Sequence, residues 1–439
     1  MEENTSFLTL QRKGTASIPK KALLVSVYKG SNVRHICEEH LQELSLLADT
    51  LGVEVVGKTP CLVRKYSAST FVTEGKLQEL IEQANTLQAE LVIFDDEISP
   101  GQQRNLEKLF KIPVIDRTEV ILAVFAQRAQ TKEARLQVEL AQVKYQAPRL
   151  KRMWTHLSRQ AGTGGARGGA YLKGEGEKQI EIDRRILKKK IEQLQNEIDE
   201  VKSVRVTQRS AREKKDIPIF AIVGYTNAGK STLLNALTDA GIFVEDKLFA
   251  TLDTTTRKYV LNNNQEVLLI DTVGFIRKLP HLLVAAFKST LEEALFADII
   301  IHLVDASHPM AEEQADATFE VLKELNAEEK PIITVLNKID QCQHKSMLDK
   351  MRIKYRKTVA ISALKKMGFD DLEELMIQEI SEQRRTVLMK IPQSEYKLVS
   401  EVIRSGTVLM QEYEENNIIL KVSIPIALAG KLQKYISPS

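Results

Sequence analysis

The hydrophobic positions in the first third of the chain alternate between strand-like and helix-like spacing. Short apolar runs predict strands, and apolar residues three and four apart predict helices. The predicted strands are Ala22–Tyr28, Val53–Lys58, Glu90–Phe94 and Ile112–Ile115, and the predicted helices are Arg34–Thr50, Gly75–Thr86 and Pro100–Phe110. Strands that alternate with helices indicate an open, mainly parallel α/β sheet.

Two longer helical patterns follow this alternation. The first covers Arg117–Tyr145, and Pro148 is predicted to end it. The stretch Ala161–Gly176 has seven glycines in sixteen residues, a density at which no regular element is expected. The second pattern begins at Gln179, with a coiled-coil-like seam of Ile180, Leu187, Ile191, Leu194, Ile198 and Val201. We predict a long antiparallel helical hairpin with the glycine loop at its tip.

These patterns divide the 439 residues into five segments, a length that suits two or three hydrophobic cores. The predicted segments are a flexible N-terminus (1–21), an N-terminal α/β domain ending in a long helix (22–145), a basic glycine-rich loop with the second long helix (146–216), a nucleotide-binding domain (217–385) and a small C-terminal α/β domain (386–439). The last segment has a β-α-β-β-α pattern with a hairpin turn predicted at Asn416-Asn417.

Composition and termini narrow the class of protein. No apolar run approaches the ~20 residues of a membrane span, and no secretory signal or lipidation motif is visible. Three scattered cysteines fit a reducing compartment. We therefore expect a cytoplasmic protein, without an integral membrane segment and monomeric.

Charge is unevenly distributed along the chain. The net charge is +3, but residues 144–215 contain 19 Lys and Arg against 9 Asp and Glu. A basic block in an otherwise mildly acidic chain indicates a polyanionic partner such as RNA. The alternative is a basic helix that is simply solvated.

A phosphate-binding loop follows the apolar run Ile219–Val223. Gly224, Gly229, Lys230 and Ser231 match G-x-x-x-x-G-K-[ST], and a helical pattern follows at once. The glycines allow backbone N–H groups to surround a triphosphate, and the new helix adds its positive end. Lys230 is expected to reach the β- and γ-phosphates and Ser231 to bind Mg²⁺.

Three later motifs indicate a guanine nucleotide. The strand Val267–Ile270 ends in D-T-V-G, where Asp271 suits the Mg²⁺ shell and the Gly274 N–H suits the γ-phosphate. The strand Ile332–Leu336 ends in N-K-I-D, in which Asp340 can accept from the two guanine donors that adenine lacks. Lys338 is expected to lay its stem along the base. After Thr358–Ile361, the Ala363 N–H is placed to meet the guanine 6-oxo group. Together with the phosphate loop, these motifs predict a P-loop GTPase domain.

A threonine-rich segment, Phe249–Arg257, lies between the first two motifs. One of its threonines is expected to contact Mg²⁺ and γ-phosphate in the GTP state. We favour Thr251, with Thr255 as the alternative. The predicted catalytic residues are Lys230, Thr251 and Gly274, and the predicted Mg²⁺ ligands are Ser231 and Thr251. The predicted nucleotide contacts are Gly224, Tyr225, Thr226, Asn227, Ala228, Gly229, Lys230, Ser231, Thr232, Phe249, Ala250, Thr251, Leu252, Asp253, Asp271, Thr272, Val273, Gly274, Asn337, Lys338, Ile339, Asp340, Ser362, Ala363 and Leu364.

Two positions have alternative interpretations. Many GTPases carry Gln directly after the D-x-x-G glycine, where it orients the attacking water, but this chain has Phe275. A phenyl ring cannot orient water, so slow intrinsic hydrolysis is predicted; the ring is either a hydrophobic gate or a packing residue. In similar GTPases an Asn at the position of Asn227 coordinates K⁺, although Asn also suits a loop turn.

These features resemble the HflX family of GTPases from about residue 20 to the C-terminus. The stretches that carry the resemblance are Val92–Glu97, Gln102–Glu107, Val114–Thr118, Phe125–Ala129, Leu136–Gln142, the glycine loop, Glu181–Arg185 and Phe249–Arg257. The chain departs from the family pattern at Ala170–Lys173, and it has Thr254 where proline is usual.

The resemblance implies a GTP-hydrolysing protein that binds the large (50S) ribosomal subunit and its rRNA. Family members split ribosomes under stress in several bacteria. The fold expected is a parallel α/β domain with a long helical hairpin, a P-loop GTPase domain and a small α+β C-terminal domain. There are two alternatives from other classes. One is an RNA-binding scaffold that does not act on ribosomes, in which GTP only switches the conformation. The other is a membrane-recruited signalling GTPase, against which the missing anchor and lipidation motif weigh.

Overall fold

The computed structural model describes residues 20–30, 33–160, 182, 184–201, 203, 217–238, 248–249, 254–278, 296–327, 329–342, 345–414 and 416–437. They form two compact units. The first holds the described residues up to 200 together with Leu248, Phe249 and Lys278, and the second holds the rest. The predictions for the N-terminus, the glycine loop Ala161–Gly176 and the residues Ala250–Asp253 lie outside the described residues.

The first unit is built on a four-stranded parallel sheet. Its strands are β1 (Lys21–Tyr28), β2 (Glu54–Leu62), β3 (Leu91–Phe94) and β4 (Val114–Asp116), and its first helices are α1 (Arg34–Thr50), α2 (Glu74–Thr86) and α3 (Pro100–Phe110). The strand order is β2-β1-β3-β4, and every neighbouring pair is parallel. The prediction of an open parallel α/β sheet is confirmed.

The start of α3 shows how sequence fixes an element boundary. Ser99 and Gln102 form a reciprocal capping box, and Pro100 occupies the first turn, where its missing N–H is harmless. The acidic run Asp95-Asp96-Glu97 precedes this helix but does not supply its cap. Asp95 is fully buried and pairs with Arg117 instead.

The prediction of one helix over Arg117–Tyr145 is wrong, because two helices occupy this region and the second continues through Pro148. Helix α4 covers Arg117–Arg128 and helix α5 covers Lys132–Gln160. The chain is extended at Ala129, and Thr131 caps the new start by accepting from the Ala134 N–H at 3.2 Å.

The turn after Pro148 is held by tertiary contacts. Arg149 Nη2 donates to the Ile98 carbonyl at 3.1 Å and to Asp116 Oδ2 at 3.0 Å. Proline removes one backbone hydrogen bond from a helix. These contacts anchor the following turn, so the missing bond does not end α5.

Residues 184–201 form the helix α6, and its seam follows the predicted spacing. Leu194 and Ile198 are buried, and the other described seam positions Leu187, Ile191 and Val201 are half-buried. Lys190 Nζ lies 3.3 Å from Glu139 Oε1, so α6 contacts α5. The prediction of a second long helix with an apolar seam is confirmed for these residues.

The second unit contains a six-stranded sheet. Its strands are β5 (Ile219–Gly224), β6 (Thr255–Val260), β7 (Glu266–Asp271), β8 (Ile299–Asp305), β9 (Ile332–Asn337) and β10 (Thr358–Ala360), and its helices are α7 (Lys230–Thr238), α8 (Ala311–Glu324), α9 (Lys345–Lys354) and α10 (Phe369–Glu382). The order is β10-β9-β8-β5-β7-β6, parallel except for β6 against β7. The carboxyl ends of the five parallel strands therefore lie along one edge.

The C-terminal part of this unit is an antiparallel α+β fold, as predicted. Strands β11 (Arg384–Pro392), β12 (Thr407–Glu414) and β13 (Asn417–Pro425) have the order β11-β13-β12, with helices α11 (Tyr396–Ser405) and α12 (Ile426–Lys431). The predicted turn is displaced by one residue, because Asn417 already pairs with Glu414 across the hairpin.

Asp116 is a carboxylate of the first unit that joins several elements. It is fully buried and accepts from the Glu119 N–H (3.0 Å), the Ile98 N–H (3.2 Å) and the Tyr145 hydroxyl (2.8 Å), and it pairs with Arg149. One side chain thereby caps α4 and ties it to α5.

We predict that Asp116→Ala destabilises the first unit by about 3–5 kcal/mol, because it leaves a half-buried guanidinium and several donors without their acceptor. Hydrogen exchange of peptides from β3 and α4, followed in increasing urea, measures this loss. The matched control is Glu38→Ala, which breaks the exposed Arg34–Glu38 pair and should cost about 0–1 kcal/mol. Equal losses in the two variants would contradict the role given to Asp116.

Candidate functional site

The glycine loop after β5 is shaped by close backbone contacts. A Cβ on Gly224 would lie 2.2 Å from the Leu303 carbonyl oxygen of β8. Gly229 has φ +96°, and a Cβ there would lie 2.4 Å from Asn337 Nδ2. Only glycine fits either position without movement of the neighbour. Helix α7 begins at Lys230, so the strand–loop–helix context of a phosphate-binding loop is confirmed.

Lys230 is buried beneath this loop. Its Nζ donates to the Gly224 carbonyl at 3.2 Å and to the Tyr225 carbonyl at 2.9 Å. Burial lowers the pKa of Lys230 to about 8, and the charge of Asp271 opposes this shift. An anion near Nζ would stabilise the charged form, so the site is suited to a phosphate.

Ser231 and Asp271 meet where α7 begins and β7 ends. The Ser231 hydroxyl donates to Asp271 Oδ2 at 2.7 Å. A hydroxyl and a carboxylate are oxygen ligands of the kind that Mg²⁺ prefers, so the pair fits this ion. Thr272 is buried and donates to the Ile222 carbonyl at 2.7 Å, which ties the end of β7 to β5.

The backbone after Asp271 crosses the glycine loop. Phe275 N–H donates to the Gly224 carbonyl at 3.0 Å, and Thr226 N–H donates to the Phe275 carbonyl at 2.7 Å. A Cβ on Gly274 would lie 2.9 Å from both Lys230 Nζ and Thr226 Cα. Gly274 therefore lies against the loop with no room even for a methyl group.

The Phe275 ring is buried, with 1% of the residue exposed. Nearby, the Tyr225 hydroxyl accepts from the Arg277 N–H at 2.7 Å. These contacts hold residues 275 to 277 on the loop. The burial favours the packing interpretation of Phe275, since the side chain lies in the core.

Asn337 connects three of the predicted motifs. This buried side chain donates from Nδ2 to the Ala228 carbonyl at 2.8 Å, and its Oδ1 accepts from the Ala363 N–H at 2.9 Å. The N–H that the sequence assigned to the guanine 6-oxo group thus already has an acceptor. Asn337 therefore has a framework role: besides being part of N-K-I-D, it holds the loops at Ala228 and Ala363 together.

Asp340 is held as an ionised acceptor. The Ser362 side chain donates a hydrogen bond that lowers the pKa of Asp340, and Lys365 Nζ lies 3.6 Å from Oδ2. Ser362 therefore affects the candidate site by stabilising the charged form of Asp340. The charged carboxylate suits a pair of N–H donors such as guanine presents.

Lys338 has a partner that sequence analysis missed. It lies in the left-handed region at φ +61°, and its Nζ is 2.8 Å from Asp305 Oδ2 at the end of β8. Asp305 also accepts from the Ser307 hydroxyl at 2.6 Å through its other oxygen. An acidic residue directly after an apolar strand, on the edge where the motifs meet, was the signal that could have found it.

The remaining predicted residues occupy different surroundings. Ala228 and Val273 are buried, Asn227 is exposed with φ +61°, Thr232 and Ile339 are half-buried, and Leu364 is exposed. Phe249 is buried in the first unit against Phe125. Thr255 begins β6, opposite Asp271. Ala250, Thr251, Leu252 and Asp253 lie outside the described residues.

In the part of the chain that the structure describes, no helix is both long and apolar enough to cross a membrane.

The fold and the four clustered motifs define a P-loop GTP-binding domain. Family models agree: "GTP-binding GTPase N-terminal" matches residues 38–126, "GTP-binding GTPase Middle Region" matches 128–212 and "50S ribosome-binding GTPase" matches 219–338.

Alignments with individual relatives extend over most of the chain. The GTPase HflX of Chlamydia pneumoniae is 46% identical over 420 residues, covering 95% of this chain and 89% of the relative. The GTPase HflX of Escherichia coli is 41% identical over 394 residues, covering 88% and 90%. A GTP-binding protein of Sulfolobus solfataricus, solved with GDP, is 25% identical with TM-score 0.43, covering 83% of this chain and 99% of that one. The chain belongs to the HflX family of GTPases and is a GTP-hydrolysing enzyme.

We predict that Asn337→Ala destabilises the second unit by about 1–3 kcal/mol without nucleotide, because the Ala228 carbonyl and the Ala363 N–H lose their partner. Thermal unfolding in nucleotide-free buffer measures this. The matched control is Asn263→Ala, in an exposed turn, which should change stability by about 0.5 kcal/mol or less. Two equal effects would show that Asn337 has no framework role.

Proposed function

We propose that this enzyme is a ribosome-associated GTPase that acts on the large (50S) subunit, in ribosome splitting or rescue, and hence in the cytoplasm. The observation that carries the proposal is the match of residues 219–338 to a family model described as a 50S ribosome-binding GTPase. This range begins at β5 and ends at Lys338 of the N-K-I-D motif, so it contains most of the candidate site.

The chain's own residues account for phosphate binding. The N–H groups of the loop from Gly224 to Gly229 and the N-terminal end of α7 attract an anion. Lys230, held by two loop carbonyls, supplies a charge to the β- and γ-phosphates. Ser231 and Asp271 are the residues that would hold Mg²⁺, which when bound neutralises phosphate charge. Thr251 is proposed as a further ligand.

Guanine selection is assigned to Asp340. Its carboxylate is ionised and oriented by Ser362, so it can accept from the guanine N1–H and 2-amino groups. Adenine would leave this buried acceptor without its two donors. Asn337 maintains the distance between the base-binding loops and the phosphate loop through its two hydrogen bonds.

Slow intrinsic hydrolysis follows from the residue after Gly274. Phe275 is buried and has no group that could orient the attacking water. We propose that the 50S subunit raises turnover by fixing the segment around Thr251 and excluding stray water. Coordination of K⁺ by Asn227 stays a prediction, which a comparison of hydrolysis in KCl and NaCl at equal ionic strength would test.

The basic segment supports an RNA partner. Residues 144–215 carry ten more basic than acidic side chains. On α6, Arg184, Arg185 and Lys188 are exposed, whereas Lys190 contacts Glu139. Exposed cations displace the counterions of phosphate groups, which gives salt-dependent binding.

The test is co-sedimentation with purified 50S subunits in the presence of a non-hydrolysable GTP analogue. We expect the full chain to co-sediment, and deletion of Ala161–Gly176 to weaken binding to 50S subunits while binding to GTP stays intact. Replacement of Arg184, Arg185 and Lys188 by Gln should lower the slope of log affinity against log salt by roughly 2, since each phosphate contact contributes about 0.7–0.9.

The matched control replaces the exposed Lys108, Lys323 and Lys397 by Gln, which removes the same charge from other surfaces. The control should leave the salt slope unchanged. GTP binding without co-sedimentation would instead favour an RNA-binding scaffold that does not act on ribosomes. Unchanged 50S binding by the deletion would remove the glycine loop from the interface.

For the base, we predict that Asp340→Asn weakens GTP binding about 100-fold and shifts preference towards xanthosine triphosphate, because an amide replaces one acceptor by a donor. Competition titrations with both nucleotides measure this. The control Asp349→Asn, on exposed α9, should leave the preference unchanged. A variant that keeps its preference for GTP would refute the role of Asp340.

A further inference from the structure

Thr226 carries a buried hydroxyl group in the middle of the glycine loop. The residue lies two positions after Gly224, and 6% of it is exposed. Its Oγ1 is buried and has no hydrogen-bond partner among the described residues. Buried hydroxyl groups are nearly always hydrogen-bonded, because burial without a partner costs free energy. A ligand that accepts a hydrogen bond would explain the exception at this position.

The backbone N–H of Thr226 already has an acceptor. It donates to the Phe275 carbonyl at 2.7 Å. In phosphate-binding loops the backbone N–H groups are the usual donors to the phosphates. Since Phe275 takes this N–H, the hydroxyl is the donor that Thr226 can offer to a ligand.

Thr226 lies beside the groups assigned to the γ-phosphate. A Cβ on Gly274 would lie 2.9 Å from Lys230 Nζ and 2.9 Å from Thr226 Cγ2. Cγ2 and Nζ are therefore no further apart than these two distances combined, and Oγ1 is bonded to the same carbon as Cγ2. A phosphoryl group that accepts hydrogen bonds of about 2.8 Å on two of its oxygens can span such a gap.

The position of Thr226 in the loop favours the γ-phosphate. The backbone of Phe275 pairs with both Gly224 and Thr226, so the end of the D-T-V-G segment runs along this part of the loop. That segment is the one expected to contact the γ-phosphate. The base side of the loop is at Ala228, where Asn337 donates to the carbonyl.

We propose that the Thr226 hydroxyl binds substrate by donating a hydrogen bond to a γ-phosphate oxygen of GTP. The inference rests on the proposed roles of Lys230 and Gly274 at this phosphate. GDP has no γ-phosphate, so it does not provide this acceptor. A hydrogen bond to a charged oxygen is stronger than one between neutral groups. Thr226 therefore contributes selectivity for GTP over GDP.

Loss of the hydroxyl should affect folding and binding in different ways. Valine has nearly the shape of threonine, with a methyl group in place of the hydroxyl. In the nucleotide-free protein, Thr226→Val removes a buried polar group that has no partner, so the folded state should be at least as stable as before. When the GTP analogue is bound, the same change removes a hydrogen bond, so affinity for the analogue should fall.

The experiment measures equilibrium binding of fluorescent GDP and of a non-hydrolysable GTP analogue to the full chain in the presence of Mg²⁺. Thr226→Val should lower the analogue-to-GDP affinity ratio about tenfold, as expected for loss of one hydrogen bond to a charged group. Thr226→Ser keeps the hydroxyl and should retain most of the ratio. Thermal unfolding without nucleotide should give Thr226→Val a midpoint equal to or above that of the unmodified protein.

The matched control is Thr318→Val in α8 of the same unit. Thr318 is also fully buried, but its hydroxyl donates to the Gln314 carbonyl at 3.0 Å. Thr318→Val should leave the affinity ratio unchanged, and the loss of a satisfied hydrogen bond should lower the unfolding midpoint.

Four results would count against the proposal. An unchanged ratio in Thr226→Val, an equal loss of affinity for GDP and the analogue, or a loss in Thr226→Ser as large as in Thr226→Val would each overturn it. A lower unfolding midpoint of Thr226→Val would show that the hydroxyl has a partner in the free protein. Thr226→Ala removes the same hydroxyl and supplies the ratio if Thr226→Val does not fold. Unmodified protein that bound neither nucleotide would instead reject the proposed GTP site itself.

Discussion

The parallel pairing of β5, β7, β8, β9 and β10 is the constraint on which the candidate site depends. Parallel strands end on the same edge, so residues far apart in sequence meet there. The pairing is close enough that Gly224 leaves no space for a Cβ against Leu303. Asn337 then joins the ends of this edge by bonding to Ala228 and Ala363. The phosphate loop and the base-binding loops are consequently one framework.

Buried charge plays a different part in the two units. In the first, Asp116 and Arg117 are neighbours in sequence but belong to separate networks, one tying α4 to α5 and the other reaching Glu43 and Asp95. Removing a member of such a network leaves an uncompensated charge, so these residues specify how the helices pack. In the second, Lys230 is buried with carbonyl partners and a lowered pKa, which is suited to an anionic ligand.

The buried Phe275 affects both the expected rate of GTP hydrolysis and the structure of the glycine loop. The position that often carries a water-orienting residue is occupied here by a core side chain whose backbone pairs with the glycine loop. Phe275 therefore stabilises the glycine loop through its backbone, but its side chain has no group that could orient the attacking water. The slow intrinsic hydrolysis that we propose, and the proposed stimulation by the 50S subunit, both follow from having Phe at this position.

Local sequence determined the elements and the motifs. Helices Arg34–Thr50 and Pro100–Phe110 have the bounds that apolar spacing and the proline predicted, because periodicity and capping act over a few residues. The order of G-x-x-x-x-G-K-S, D-T-V-G and N-K-I-D was enough to predict a GTPase. Pro148 was misjudged because contacts of Arg149 with Ile98 and Asp116, distant in sequence, hold the turn beyond it.

Only the tertiary structure decided which polar groups meet. The pairing of Lys338 with Asp305, the bond from Ala363 to Asn337 and the contact of Lys278 with Asp95 join residues 26 to 183 positions apart. Such pairs have no sequence period, because each depends on where two separate strands end and which groups are buried there. The sequence determined the fold and the chemistry of the nucleotide motifs, and the tertiary structure decided which side chains hold those motifs in position.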